Sequence, residues 1–159
     1  MAVDMFMEID DIEGESVDSV HQGHIDVKGW HWGAHQTGSS QLGSGSGTGK
    51  ATVEDLVFES YFEKSTPTLM AMVANGTPFK KATLTVRKAG GQPLEYIKIT
   101  MTGGIVSNVT HTLPTGGEVP LVSISLNFAA VDIDYTPQAA DGTGQPVVST
   151  SIKIATQAH

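Results

Sequence analysis

Apolar residues recur at every second position along most of this chain, the pattern of strands with one covered face. In residues 3–9, Val3, Met5, Met7 and Ile9 share one face and Asp4 and Glu8 the other. Phe6 interrupts the alternation, so both faces of this strand are expected to be partly covered. Residues 10–23 are acidic and polar and read as a connection. Ile25 and Val27 then hold odd positions, whereas Trp30 and Trp32 hold even ones. A bulge at Lys28-Gly29 would absorb the extra residue, turn all four apolar side chains inward and point His31 away. Residues 51–60 are strand-like again, with Val53, Leu56, Val57 and Phe58 apolar on both faces.

One segment breaks the period of two. Leu69, Met70, Val73 and Ala74 recur at helical spacing, with Thr66 suited to the N-cap, Pro67 to the first helical position and Gly76 to the C-terminal stop. This predicts one short α-helix at about residues 66–75. Afterwards Ala82, Leu84 and Val86 alternate with polar neighbours, as do Ile97, Ile99 and Met101. Gly90-Gly91, Gly103-Gly104 and residues 114–117 are expected to turn the chain, which makes residues 105–113 a returning strand. Val122, Ile124, Leu126 and Phe128 lie on even positions and Val131, Ile133 and Tyr135 on odd ones. Ala129-Ala130 is therefore expected to bulge where a long strand rounds a corner. Residues 137–146 are turn-rich, and Val148, Ile152 and Ile154 suggest a last strand. The sum, about eight strands at hairpin spacing and one helix, predicts a mainly β fold: an antiparallel two-sheet β-barrel.

Residues 34–50 do not fit that spacing. They are mostly Gly, Ser, Thr and Gln, with Leu42 the single large apolar side chain. A structureless stretch of this length inside a compact domain is uncommon and is usually functional. It is expected to be a long projecting loop and an assembly element.

Composition narrows the class. At 159 residues the chain matches a single domain, residues 1–159, large enough to bury a core without staples. It has no Cys, which excludes disulfides, thiolate zinc sites and cysteine nucleophiles. A formal charge of −8 argues against a nucleic-acid surface or a polybasic membrane anchor. The longest wholly apolar run, residues 69–74, is far shorter than the ~20 residues of a spanning helix. Residues 1–4 carry no cationic, cleavable leader pattern, so folding in the cytoplasm and export without a cleaved signal peptide are expected.

Candidate chemistry is sparse. The stretch Gly43-Ser44-Gly45-Ser46-Gly47-Thr48-Gly49-Lys50 misses the phosphate-loop pattern at its first glycine and at the hydroxyl after the lysine, which is Ala51. A strand rather than a helix follows, so no helix N-terminus faces a phosphate. His21, His24, His31 and His35 cluster in sequence, but an extended strand keeps His31 and His35 roughly 13 Å apart. Only a folded loop could gather three of them on a metal. Asp10, Asp11, Glu13 and Glu15 match a calcium loop poorly, because Ile9 falls where a carboxylate is required. No nucleophile elbow occurs. The residues thus indicate no catalytic set, no cofactor and no metal.

Several segments together resemble the haemolysin co-regulated protein (Hcp) family. They are Met1-Ala2-Val3-Asp4-Met5-Phe6, Gly14-Glu15-Ser16, Ile25-Asp26-Val27 with Trp30-x-Trp32-Gly33, and Lys64-Ser65-Thr66-Pro67 with Leu69-Met70. Leu84-Thr85-x-Arg87-Lys88-Ala89-Gly90-Gly91, Asn127-Phe128-Ala129 and Tyr135-x-Pro137-Gln138-x-Ala140-Asp141-Gly142 extend the match over nearly the whole chain. The resemblance implies a non-enzymatic subunit of the type VI secretion inner tube. It implies homohexameric rings that stack, are expelled by a contractile sheath with a spike protein, and carry effector proteins in the lumen. It also implies that the long loop contacts neighbouring subunits. On this reading Gln36, Thr37, Gly38, Ser39, Ser40, Gln41, Leu42, Gly43, Ser44, Gly45, Ser46, Gly47 and Thr48 form the ring or stacking interface, and His31 faces the lumen or the outer wall, with the lumen favoured. The competing readings are a ligand- or carbohydrate-binding barrel, which would need Trp30 and Trp32 exposed, and a jelly-roll enzyme, which would need the histidines gathered by metal.

Overall fold

The computed structural model describes residues 2–36, 51–90 and 92–154. Its strands are β1 (Val3–Ile9), β2 (Ile25–Asp26), β3 (Gly29–His31), β4 (Ala34–Gln36), β5 (Ala51–Val53), β6 (Leu56–Tyr61), β7 (Pro78–Lys88), β8 (Leu94–Thr112), β9 (Leu121–Tyr135) and β10 (Val148–Lys153). One helix, α1 (Ser65–Asn75), joins β6 to β7. Eight strands form one antiparallel sheet in the order β2-β1-β7-β8-β9-β6-β3, with β10 added beside β9. The two ends of this order, β2 and β3, are consecutive in the chain. Val27 N–H donates to Met5 O on β1, and the next residue, Lys28, donates to Glu59 O on β6. Two neighbouring amides thus bond to opposite ends of the sheet and close it into a barrel. Lys28-Gly29 is therefore a crossover between edges rather than a bulge within one strand.

The core fills the inside of this curl with Met7, Ile25, Leu56, Phe58, Leu84, Met101, Ile124 and Leu126 among its fully covered side chains. Burial at roughly 25 cal/mol per Å² of apolar surface holds the closed sheet together without covalent help. Every buried side-chain polar atom among the described residues has a partner.

The parity switches locate the barrel's bend. Phe79, Gly104 and Phe128 are register partners across β7, β8 and β9, and so are Ala82, Met101 and Val131. Phe79, Phe128, Ala82, Met101 and Val131 are all buried. Between the two rows, Lys80-Lys81, Thr102-Gly103 and Ala129-Ala130 lie side by side, and none of them is buried. Each strand presents two consecutive residues outward at the same line, so the inward face changes parity there in all three strands together. The corner expected at Ala129-Ala130 is thus shared by three strands, and no register shift accompanies it. The hairpin expected at Gly103-Gly104 does not form, and residues 105–113 do not return as a separate strand. Gly103 adopts φ +63°, which bends β8 without reversing it, and the strand runs on to Thr112. Gly104 is needed beside it, because a Cβ there would lie 2.1 Å from Asn127 O and 2.6 Å from the Phe79 ring.

Two further expectations shift. The helix begins at Ser65, not Thr66, and no side chain of the residue before it caps it. Instead Glu63 N–H donates to Thr66 Oγ1, and the Glu63 carboxylate accepts from the amide and hydroxyl of Ser65. Ser65, Thr66 and Leu69 form its buried face, with Met72 and Val73 packed beside them. Met70 and Ala74 point outward. Gly76 ends the helix at φ 66° with its N–H on Met72 O, as expected of a left-handed cap. Residues 34–50 are not loop throughout: Ala34–Gln36 and Ala51–Val53 pair as β4 and β5 in a separate two-stranded ribbon.

Candidate assembly surfaces

The ribbon springs from a well-anchored root. Gly33 O accepts from Glu54 N–H at 2.9 Å, and Trp32 Nε1 donates to Glu54 O at 2.8 Å. The Trp32 ring packs against Phe128 of the barrel, centroids 6.1 Å apart. Above that root Ala34 faces Val53, His35 faces Thr52 and Gln36 faces Ala51, and all but Val53 are exposed. Of the expected interface residues, Gln36 sits at the end of β4; Thr37–Thr48 lie outside the described residues.

Trp30 and Trp32 are half-buried and packed against the core, so they form no exposed aromatic platform. The inward assignment holds in direction, but both rings lie at the core's margin rather than in its centre. His31, between them on β3 and opposite Val57, is exposed. Of the four clustered histidines the structure brings together two, His21 and His24. His35 stands apart, 3.9 Å from Glu54. Among the described residues no three histidine or carboxylate side chains converge to hold a metal ion.

The polar connection at residues 10–24 is docked, not free. It covers the outward face of β1, where Phe6 is 5% exposed. The His21 ring stacks on Phe6 at 4.4 Å, and the Arg87 guanidinium lies 5.1 Å from the same ring. Arg87 donates two bonds to the Asp18 carboxylate, at 2.7 and 3.0 Å, and one to Asp4. This hydrogen bonding by Arg87, aided by the amides of Val20 and His21, holds Asp18 well below the usual carboxylate range. Reciprocally, Asp18 above all raises Arg87 beyond its ordinary value. In the turn-rich segment before β10, the hydroxyl and amide of Thr143 lower Asp141.

Ser107 donates to Asp55 at 2.6 Å, but Asp55 also accepts from Asn127, and the trio fastens the irregular pairing of β8 near Val106. What the barrel offers is contact surface. Tyr61, Phe62, Leu113 and Leu121 are exposed apolar residues close to the helix end of β6. Tyr135 and Val148, register partners on β9 and β10, are exposed on another face. Among the described residues β10 pairs along one side only. The alternation that buries Leu56, Phe58 and Ser60 places Tyr61 outward, whereas Tyr135 and Val148, expected among the apolar positions of their strands, lie exposed.

A closed antiparallel barrel with an anchored outlying ribbon and, among the described residues, a strand edge paired on one side only is the architecture of a protein that presents contact surface. The comparisons agree with that class. The family described as "Type VI secretion system effector, Hcp" matches residues 6–135. Protein hcp1 of Pseudomonas aeruginosa is 49% identical over 151 residues, covering 92% of this chain and 93% of that protein. A solved structure of a type six secretion system protein superposes with a TM-score of 0.91 at 25% identity over 98% of both chains. Hcp1 from Salmonella typhimurium gives 0.77 at 30% identity over 98% of this chain and 97% of its own. The chain belongs to the Hcp family. It is a tube subunit of the type VI secretion system, secreted and not an enzyme. The binding-module alternative finds no support in the half-buried tryptophans.

Proposed function

We propose that six copies of this chain close head-to-tail into a ring, and that rings stack into the tube expelled by the secretion machine. A heterologous contact that closes makes a ring, and a second one that repeats without closing makes a fibre. The sheath and spike of the same system act on the outside and tip of that tube, and effector proteins travel in its lumen. Assembly takes place in the cytoplasm before export. His31, exposed on β3, lines the lumen.

The observation that carries this reading is the ribbon. Its root is fixed to the barrel by Trp32, yet the paired residues above the root are almost all exposed. A protein does not hold such a segment rigidly for its own core; it holds it for a neighbour. Gln36 together with Thr37–Thr48 is the contact. Replacing residues 36–48 with an Asn-Gly turn, which suits a two-residue hairpin, is expected to leave the melting temperature of the barrel within a few degrees of the parent. Light scattering should then find monomers where the parent gives rings. Intact hexamers from this variant overturn the assignment. The lumen position is read separately: the chain has no Cys, so His31→Cys provides a unique thiol. A large maleimide should react with it in monomers and be excluded from stacked tubes.

A further inference from the structure

We propose that His21 and His24 form a two-imidazole site for a divalent first-row transition ion on the outer wall of the barrel. Their Nδ1 atoms face each other at 3.1 Å. Each ring turns its other nitrogen toward a carboxylate. His21 Nε2 lies 2.7 Å from Glu95 Oε1, and His24 Nε2 lies 3.7 Å from Glu8 Oε2. A carboxylate beside one ring nitrogen holds the proton there and leaves the lone pair on the other, the arrangement that metal-ligating histidines use. The hydrogen bond to Glu95 leaves the His21 Nδ1 lone pair turned into the gap, where the His24 Nδ1 faces it. In the metal-free protein a proton on one Nδ1 bridges the two rings. A divalent ion takes the place of that bridging proton and binds both Nδ1 atoms, while the proton moves to His24 Nε2, beside Glu8.

The gap has suitable dimensions. Metal–imidazole bonds of about 2.0–2.1 Å spanning it give an N–metal–N angle of about 100°, between the square and tetrahedral values. Imidazole donors select Zn²⁺, Ni²⁺ or Cu²⁺ over Ca²⁺ and Mg²⁺. The ligands are also held in place before any ion arrives. His21 is 8% exposed, stacked within 14° of parallel on Phe6, and its amide donates to Asp18 Oδ2. His24 N–H donates to His21 O, and Gly23 between them adopts φ +78°, which reverses the chain so that both rings meet. The His24 side chain keeps 21% of its exposure, so an ion can enter and water can complete its shell. Nearby cationic charge is already engaged, since Arg87 is bound by Asp18 and Asp4. A bound ion would staple the tip of the docked connection to β1 through Glu8 and to β8 through Glu95.

The test is calorimetric titration of untagged protein with Zn²⁺ in a non-chelating buffer. Expected is saturable binding of one ion per chain. Glu95→Gln should weaken binding by about tenfold or more. His24→Gln, a change at the more exposed ring, should weaken it further while leaving the circular dichroism spectrum unaltered. His35→Gln should change nothing. Cu²⁺ in the same protein should show two equatorial nitrogens by electron paramagnetic resonance, reduced to one in His24→Gln. Absence of saturable Zn²⁺ binding overturns the proposal. So does binding that keeps its affinity in His24→Gln, which would assign the ion to the other histidines.

Discussion

Two polar connections leave the barrel, and they have opposite fates. Residues 10–24 fold back onto the outward face of β1 and are fastened there by His21 on Phe6 and by Asp18 on Arg87. Ala34–Gln36 and Ala51–Val53 instead pair with each other as a separate ribbon, above a root held by Trp32 and Glu54. In sequence the two look alike, since both lack apolar periodicity. The difference lies outside them. The first meets an aromatic ring and a guanidinium on the sheet beneath it, whereas the paired residues of the second are exposed except Val53. A connection that finds partners on its own barrel completes the subunit.

The largest effect expected from this contrast is at Phe6. Phe6→Ala removes the ring on which the His21 imidazole and the Arg87 guanidinium lie, at a site 5% exposed. Loss of a covered phenylalanine costs about 3–5 kcal/mol, so chemical denaturation should show a large fall in midpoint. Amide exchange should rise first in residues 14–24 and leave the ribbon's base unchanged. Equal loosening of both connections would break the distinction.

Trp32→Ala tests the other root. The ring is half-buried rather than central, so about 2 kcal/mol is expected, below the range for a fully covered aromatic. Amides at Gly33, Ala34 and Val53 should exchange faster while those of residues 14–24 keep their protection. The neighbouring His31→Ser serves as its contrast, because an exposed side chain at the end of β3 should shift stability by less than about 0.5 kcal/mol. A loss at His31 as large as that at Trp32 would show that the whole strand, not the indole, holds the ribbon.

How much of this was legible beforehand follows from range. Period-two alternation records which face a strand buries, and it fixed nearly all strands, the helix and the inward direction of Trp30 and Trp32. The interruption at Phe6 correctly announced a second covered face. Alternation does not record why parity changes. At Gly103-Gly104 a bend, a bulge and a hairpin leave the same trace, and the choice was settled by Lys80-Lys81 and Ala129-Ala130 on strands that sequence alone does not align. Likewise Lys28-Gly29 looked like a bulge because closure between β1 and β6 is a long-range fact. Residues 34–50 stood out by composition and length and 51–60 by strand-like alternation, but the pairing of Ala34-His35-Gln36 with Ala51-Thr52-Val53 was not legible, because Ala34-His35-Gln36 carries no burial pattern of its own. The docked connection was missed for the same reason: Asp18 and Arg87 are far apart in the chain, and neither is unusual until the sheet places them together.

The smallest expected effect concerns that ion pair and appears only in acid. Asp18 has its carboxyl held below its ordinary value of 3.8, first by the hydrogen bonds of Arg87 and then by the amides of Val20 and His21. A carboxylate whose value is lower in the folded chain than in the unfolded one stabilises the fold above the unfolded value. That stabilisation is lost as pH falls from there toward the folded value. The pair should therefore contribute a constant amount from neutral pH down to about 4 and fade below it. Because the surrounding water screens a partly exposed pair, the change at neutral pH in Asp18→Asn should be small. The informative quantity is the slope. The parent should lose stability steeply as pH drops below about 4, and Asp18→Asn should lose it less steeply, so that the two curves converge in strong acid. Exchange protection at residues 14–24 should follow the same convergence, while the ribbon base, which has no part in this pair, should be indifferent to the substitution at every pH. Parallel curves down to strong acid would mean that Phe6 and His21 alone hold the connection in place.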